Sequence, residues 1–299
     1  MKKISRRKFL KKSLAGGTVI ALNPGKLLGQ DLLFKDSTKL EQIVLGNSGV
    51  RVSRLALGTG THGWKFKSDQ TALGDQGFID LALHAYEAGI TFIDAADIYG
   101  SHRNVQQLLR YIPREKLVIL TKIWMQPNDW IPSGSASETL DRFRKEIGTD
   151  YLDIVLLHSQ TSLDWVNEHA KARETLSQAK ESGIIRAHGV SCHSLEALKA
   201  AASSEWVDVI FARINNNGNR MDDTPENVMP VIKQAHDSGK GVVGMKIFGC
   251  GDLVGETQRE ASLQYVLNSK NVDAMTIGFE AKDQIDDTVK RVKKVLKER

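Results

Sequence analysis

The chain has 299 residues, long for one ordinary domain but normal for a single α/β barrel. It is 41% apolar and 26% charged with no low-complexity tract, the composition of a soluble globular protein. The net charge of +5 misleads, because Lys2, Lys3, Arg6, Arg7, Lys8, Lys11, Lys12 and Lys26 place eight positive charges and no acids in the first thirty residues. Removing those eight from +5 leaves −3 for the remainder, which gives no reason to propose a nucleic-acid partner. The basic cluster from Lys290 to Arg299 reads as the solvated face of a terminal helix.

The first element in chain order is a targeting segment. "SRRKFLKKSLAGGTVIAL" carries a charged region with Arg6 and Arg7, then Phe9 and Leu10, then a weakly apolar run from Leu14 to Leu22 that is too short to span a bilayer. Every position of Ser-Arg-Arg-x-Phe-Leu-Lys is matched, so the segment closely resembles a twin-arginine export signal. That resemblance implies the twin-arginine translocase as a partner during export, a periplasmic or otherwise exported location, and no stable membrane anchor. The route carries folded proteins, often after cofactor loading, which hints at a cofactor acquired before export. The expected organisation is a signal peptide over 1–30 and a barrel domain over 40–299.

Next, "EQIVLGNSGVRVSRLALG" alternates with a two-residue period around Gly46-Asn47-Ser48-Gly49, predicting a β-hairpin that leads into a buried strand. From there short apolar runs alternate with amphipathic segments. The predicted strands are Leu55–Leu57, Thr91–Ala95, Leu117–Lys122, Ile154–His158, Ala187–Ser191, Val207–Ile214, Gly241–Ile247 and Ala274–Gly278. Helices are predicted between them over Gly77–Ala88, Asn104–Tyr111, Ser135–Ile147, Ala170–Ser182, Leu195–Ser203, Pro225–Ser238, Thr257–Asn268 and Lys282–Leu296. Glycines 89, 148, 183 and 239 mark helix ends, where a left-handed residue costs least. Eight β/α units in succession predict a closed (β/α)₈ TIM barrel preceded by the hairpin. An open doubly wound sheet fits less well, since no Gly-x-Gly-x-x-Gly follows the first strand.

Active sites of such barrels occupy the C-terminal ends of the strands, so polar residues closing an apolar run are the candidates. Asp94 closes one run, with Asp97 and Tyr99 in the following loop; Lys122, His158 and Ser191 close others. A phenol titrates near pH ~10 and a nearby ammonium stabilises the phenolate. The ammonium in turn needs a carboxylate partner when buried, and a histidine beside the tyrosine orients a carbonyl. The set describes a proton donor for carbonyl reduction. Asp97 is expected to shape the turn only.

"FIDAADIYG", "LTKIW" and "DIVLLHS" resemble, in order and spacing, the catalytic segments of the aldo-keto reductase family, and the resemblance runs from about Glu41 to Lys294. It implies that Tyr99 is the general acid, Lys122 lowers its pKa, Asp94 pairs with Lys122, and His158 orients the carbonyl. It implies a nicotinamide cofactor across the strand tops, NADP by family habit with NAD also possible, and an aldehyde, ketone or sugar carbonyl as substrate. The rival reading is a catalytically idle barrel that binds carbohydrate or a partner.

Gly58 and Thr59 match the family's first-strand cofactor turn, and Ser191 matches the serine that bonds the nicotinamide amide. Cys192 stands where asparagine is common, and Phe211 and Ile214 stand where many members have glutamine and a stacking tyrosine. Lys246, Gly249 and Gly251 suit a pyrophosphate by charge and close backbone approach. Gln284 and Thr288 fall at the family's adenine contacts, while Glu280 sits near where NADP-preferring members place a basic residue; a carboxylate there would repel a 2′-phosphate and could accept from a ribose hydroxyl, with Lys282 as a compensating charge. Trp64, Trp124, Trp130 and Trp165 fall in strand-top segments and predict an apolar wall or a sugar-stacking platform, with Trp64, Trp124 and Trp165 as substrate contacts. Trp206 falls at the opposite end and predicts packing. His62, His102 and His193 lie near the mouth without metal-ligand spacing, so no metal is expected. Cys192 and Cys250 are expected as two free thiols near the pocket.

Overall fold

The computed structural model describes residues 40–299 other than 127 and 133. The signal-like segment therefore lies outside the described residues. The predicted hairpin forms from β1 (Gln42–Val44) and β2 (Arg51–Ser53), antiparallel with Ile43 opposite Val52.

Among the described residues eight parallel strands follow and close on themselves. They are β3 (Leu55–Gly58), β4 (Phe92–Asp94), β5 (Val118–Trp124), β6 (Leu152–Gln160), β7 (Ile185–Cys192), β8 (Val209–Arg213), β9 (Gly241–Met245) and β10 (Ala274–Gly278). β10 completes the circle by pairing with β3, Thr276 opposite Ala56, and with β9, Ala274 opposite Val243. The outer layer is α1 (Gly74–Glu87), α2 (His102–Leu108), α3 (Ala136–Ile147), α4 (Ala170–Glu181), α5 (Leu195–Ser203), α6 (Pro225–Asp237), α7 (Glu256–Ser269) and α8 (Lys282–Lys297). Starts and stops follow local chemistry. Ser135 and Glu138 form a capping box at the head of α3, and left-handed Gly148 ends it.

Two apolar layers result from the two-residue period of the strands. Phe92, Val118, Leu120, Ile154, Leu156, Ala187, Val209 and Phe211 face inward, while Ile93, Ile119, Val155, Leu157, Val190 and Ile210 pack outward among residues from the helices. The hairpin plugs the N-terminal mouth. Leu45, Val50 and Val52 join the inner cluster, and a Cβ at Gly46 would lie 2.4 Å from the Gly239 carbonyl oxygen. Chemistry is thereby confined to the other end.

Differences from the sequence reading are local. β5 runs on to Trp124, and β6 continues to Gln160 through an irregularity at Ser159, whose φ is +58°. Such bulges re-aim side chains beside functional sites. The strand predicted over Thr91–Ala95 is three residues long because Ala95 already leaves for the loop.

Candidate active site

Inward parity places the site. Phe92 faces inward, so two residues on Asp94 does; Val118 and Leu120 lead to Lys122, and Ile154 and Leu156 to His158. Each reaches the top of the barrel on the inner face and is almost wholly buried. Lys122 Nζ pairs with Asp94 Oδ1 and donates to the Ala95 carbonyl at 2.9 Å. The second Asp94 oxygen accepts from Thr276 Oγ1 at 2.7 Å. The pair is thus hydrogen-bonded on both sides, as a buried ion pair requires.

Tyr99 arrives by a different route. The loop after β4 makes a single 3₁₀ turn, Asp97–Tyr99, and leaves through left-handed Gly100 (φ +72°), where a Cβ would lie 2.1 Å from the Phe66 carbonyl oxygen. Asp97 is buried and takes a two-pronged ion pair from Arg142 of α3, at 2.9 and 2.8 Å, so it ties the turn to the outer layer. The ring of Tyr99 lies against the loop after β3: a Cβ at Gly60 would come within 2.3 Å of it and one at Gly63 within 2.5 Å. The Tyr99 hydroxyl consequently sits 3.4 Å from His158 Nε2, and Lys122 Nζ is 4.8 Å from the centre of the phenol ring.

Electrostatics fix the resting protonation. Burial raises the Tyr99 pKa above its ordinary 10; the Lys122 ammonium pulls it down without cancelling that effect. The net direction is opposite to the lowering expected from Lys122 alone, and it leaves the phenol protonated at neutral pH. Burial works against the Lys122 charge, but the Asp94 carboxylate and Tyr99 together outweigh it and raise the ammonium's pKa above its ordinary value. His158 is driven well below 6.5 by burial and then by Lys122, so its imidazole is neutral. Its Nδ1 is buried without a hydrogen-bond partner.

A cleft of about 380 Å³ runs outward from this cluster. Gly58, Ser191, Lys246, Gly251, Glu280, Gln284 and Thr288 line it, together with His193, Phe211, Phe248 and Arg259. Ser191 Oγ accepts from Ser159 N at 2.8 Å, leaving its own proton to donate. The donor set suits a nicotinamide dinucleotide: a proton-bearing reactive end, a mid-cleft lysine beside a glycine turn, and an amide-bearing outer end. Ser191 would hold the nicotinamide amide, Lys246 and Gly251 the pyrophosphate, and Gln284 the adenine.

Five expectations need correction. Thr59 is buried behind the site, its hydroxyl donating to the Asp94 carbonyl at 2.8 Å and meeting Ser101 Oγ at 2.7 Å, so it braces the strand top. Gly249 packs against Asn219 and Leu253 while Gly251 faces the cleft. Trp165 is no pocket wall: it begins a one-turn helix, is fully buried in the outer layer, and donates its indole N–H to the Ala197 carbonyl at 3.2 Å. Cys192 has the outward parity opposite to Ser191 and lies in that same layer, leaving Cys250 as the cleft-lining thiol. His102 is drawn away from the mouth by Glu146 (2.6 Å) and Thr121 (2.7 Å). Trp64 and Trp124 do cluster with Trp130, at centroid distances of 5.4 and 5.0 Å from Trp64, and Trp124 stands edge-on to His158 at 5.4 Å. Trp206 packs at the other end, stacked on His188 at 4.3 Å.

Sequence reading missed Thr276, Arg142 and Arg213. Arg213 continues the inward register of β8, pairs with Asp222 at 2.8 Å and donates to His193 Nδ1 at 2.6 Å. Its parity signal was legible; its partners, brought by other loops, were not.

Three histidines whose pKa values are pushed down predict an acid-sensitive fold. His193 is pushed down to about 3 by burial and then by Arg213, and His188 to about 4 by burial, alongside His158. The unfolded chain binds protons from about pH 6.5 downward that the folded state refuses, so stability falls as pH drops through 6.5 toward 4. Each histidine contributes up to about 1.4 kcal/mol per pH unit. The urea midpoint is expected to fall between pH 7.5 and 5.0, with a smaller fall in His193→Asn; an unchanged midpoint would contradict this.

The comparisons with known proteins agree on the family. The pattern of the Aldo/keto reductase family matches residues 54–298. The NADH-specific methylglyoxal reductase of Escherichia coli is 27% identical over 195 residues, covering 58% of this chain and 59% of that protein. The NAD/NADP-dependent indole-3-acetaldehyde reductase of Schizosaccharomyces pombe is 32% identical over 155 residues, half of each chain. The matches thus span about half to three fifths of these curated relatives. A crystal structure of a Pseudomonas aeruginosa protein assigned to the aldo-keto reductases superimposes with a TM-score of 0.71 at 26% identity, covering 88% of this chain and 98% of that one. Taken with the closed barrel and the residues at its top, these likenesses place the chain in the aldo-keto reductase family.

Proposed function

We propose that the protein is an exported aldo-keto reductase that transfers a hydride between a nicotinamide dinucleotide and an aldehyde, ketone or sugar carbonyl. The observation that carries the reading is the placement of the Tyr99 hydroxyl beside His158 Nε2 and over the Lys122–Asp94 pair.

Tyr99 Oη and His158 Nε2 lie 3.4 Å apart, so a carbonyl oxygen placed between them would meet both. When bound, the reduced nicotinamide supplies the hydride that adds to the carbonyl carbon. As negative charge grows on the oxygen, Tyr99 gives up its proton to it, and Lys122 stabilises the phenolate left behind. Asp94 keeps that ammonium charged and aimed. His158, held neutral by burial, would donate from Nε2 to the same oxygen without competing as an acid. Trp124, edge-on to His158 and backed by Trp64, offers an aromatic surface beside the site that favours substrates with an apolar or sugar-ring face.

Export sharpens the question of turnover, since free dinucleotides are not recycled outside the cytoplasm. A tightly held cofactor that is loaded before export and is alternately reduced and oxidised by two substrates resolves it. Support for export is the match of Ser5 to Lys11 to the twin-arginine pattern.

Tyr99→Phe is expected to lower kcat for carbonyl reduction by about 100-fold or more, with the dissociation constant for the dinucleotide nearly unchanged; undiminished turnover would remove Tyr99 as the acid. Arg6→Lys with Arg7→Lys is expected to retain the protein in the cytoplasm by fractionation, and continued export would reject the signal.

A further inference from the structure

The cleft is electrostatically uneven. Midway, Lys246 lines it with Nζ 3.5 Å from Cys250 Sγ. Beyond that point the lining turns acidic: Glu280, Asp283 and Asp287 are presented by the turn into α8 and its first two turns. Arg259 of α7 is the one cation lining this end among the described residues, and it is already engaged. Its Nε donates to Asp287 Oδ2 at 3.1 Å and its Nη1 to the Val254 carbonyl, while Arg291 binds the same Asp287 oxygen from behind at 2.9 Å. Lys282, which the sequence offers as a compensating charge, does not line the cleft.

A dinucleotide with its reactive ring at Tyr99 and its pyrophosphate at Lys246 would lay its adenosine along this outer stretch, where Gln284 and Thr288 line the cleft. Gln284 Oε1 there accepts from Glu280 N at 2.8 Å, which turns its amide protons outward as donors. The positive end of α8, which could otherwise attract a phosphate, is answered by Asp283 in its first turn. A 2′-phosphate would bring roughly two more negative charges beside Glu280 and Asp283, while the nearby guanidinium groups of Arg259 and Arg291 are already committed to Asp287. A ribose 2′-hydroxyl instead finds carboxylate acceptors.

We propose that the outer end of the cleft selects NAD(H) over NADP(H), with Glu280 and Asp283 as the residues that reject the 2′-phosphate. The inference rests on the dinucleotide reading above and runs against the NADP preference implied by family habit.

Equilibrium titration of the purified full-length protein with NAD⁺, NADP⁺, 5′-AMP and 2′,5′-ADP, followed by calorimetry, tests it without turnover. At about 50 mM salt NAD⁺ is expected to bind at least about tenfold more tightly than NADP⁺, with 5′-AMP preferred over 2′,5′-ADP in the same sense. Because the discrimination is between exposed charges, it should shrink at about 500 mM salt. It should also close to within about threefold in Glu280→Gln/Asp283→Asn, two exposed positions whose loss leaves the fold intact. Equal or tighter NADP⁺ binding at low salt would overturn the proposal while leaving the dinucleotide reading standing. So would a preference for NAD⁺ that neither salt nor the double variant moves. Binding of neither dinucleotide would overturn both.

Discussion

The buried pair of Lys122 and Asp94 is the interaction on which the rest of the site depends. A lysine that ends a barrel strand on its inner face has no water to hold its charge, and the cost of leaving it unpaired is several kcal/mol. Asp94 meets that demand from the neighbouring strand, and the Ala95 carbonyl and Thr276 complete the hydrogen bonds around the pair. Buried ion pairs are seldom the best way to stabilise a core. What this one provides is a fixed positive charge beneath a phenol, with a histidine kept neutral alongside.

Holding Tyr99 over that charge depends on parts of the chain that are polar, small or far away. Glycines 60 and 63 allow the phenol to lie flat against the neighbouring loop, and Gly100 takes the one backbone conformation that lets the turn leave past Phe66. Asp97, three residues from Asp94 and just as acidic, is bound by Arg142 and so fixes the turn from outside. Similar residues in one short segment have divided into a chemical role and an anchoring one because the strand ends between them.

Much of this is legible in the amino-acid sequence. Strand parity alone carries Asp94, Lys122, His158 and Ser191 to the inner face, because each stands an even number of residues from an inward apolar side chain. The same rule sends Cys192 outward, and applying it there would have removed that thiol from the pocket. Parity says nothing about loops. Trp165 was misread because a strand-top position looks exposed until a one-turn helix folds its indole inward, and Thr59 because a hydroxyl beside a cofactor turn can equally brace the strand top. Thr276 and Arg142 were invisible since their partners lie 182 and 45 residues away in the chain.

The central claim is that Lys122 acts on the proton of Tyr99 through space. The direct measurement is the ultraviolet titration of the Tyr99 phenol, isolated by subtracting the spectrum of Tyr99→Phe, in the native protein and in Lys122→Met. Removing the ammonium removes the main influence opposing burial, so the phenol should titrate at higher pH in the variant. An unshifted titration would contradict the account, because Lys122 would then be a structural lysine beneath a tyrosine it does not control.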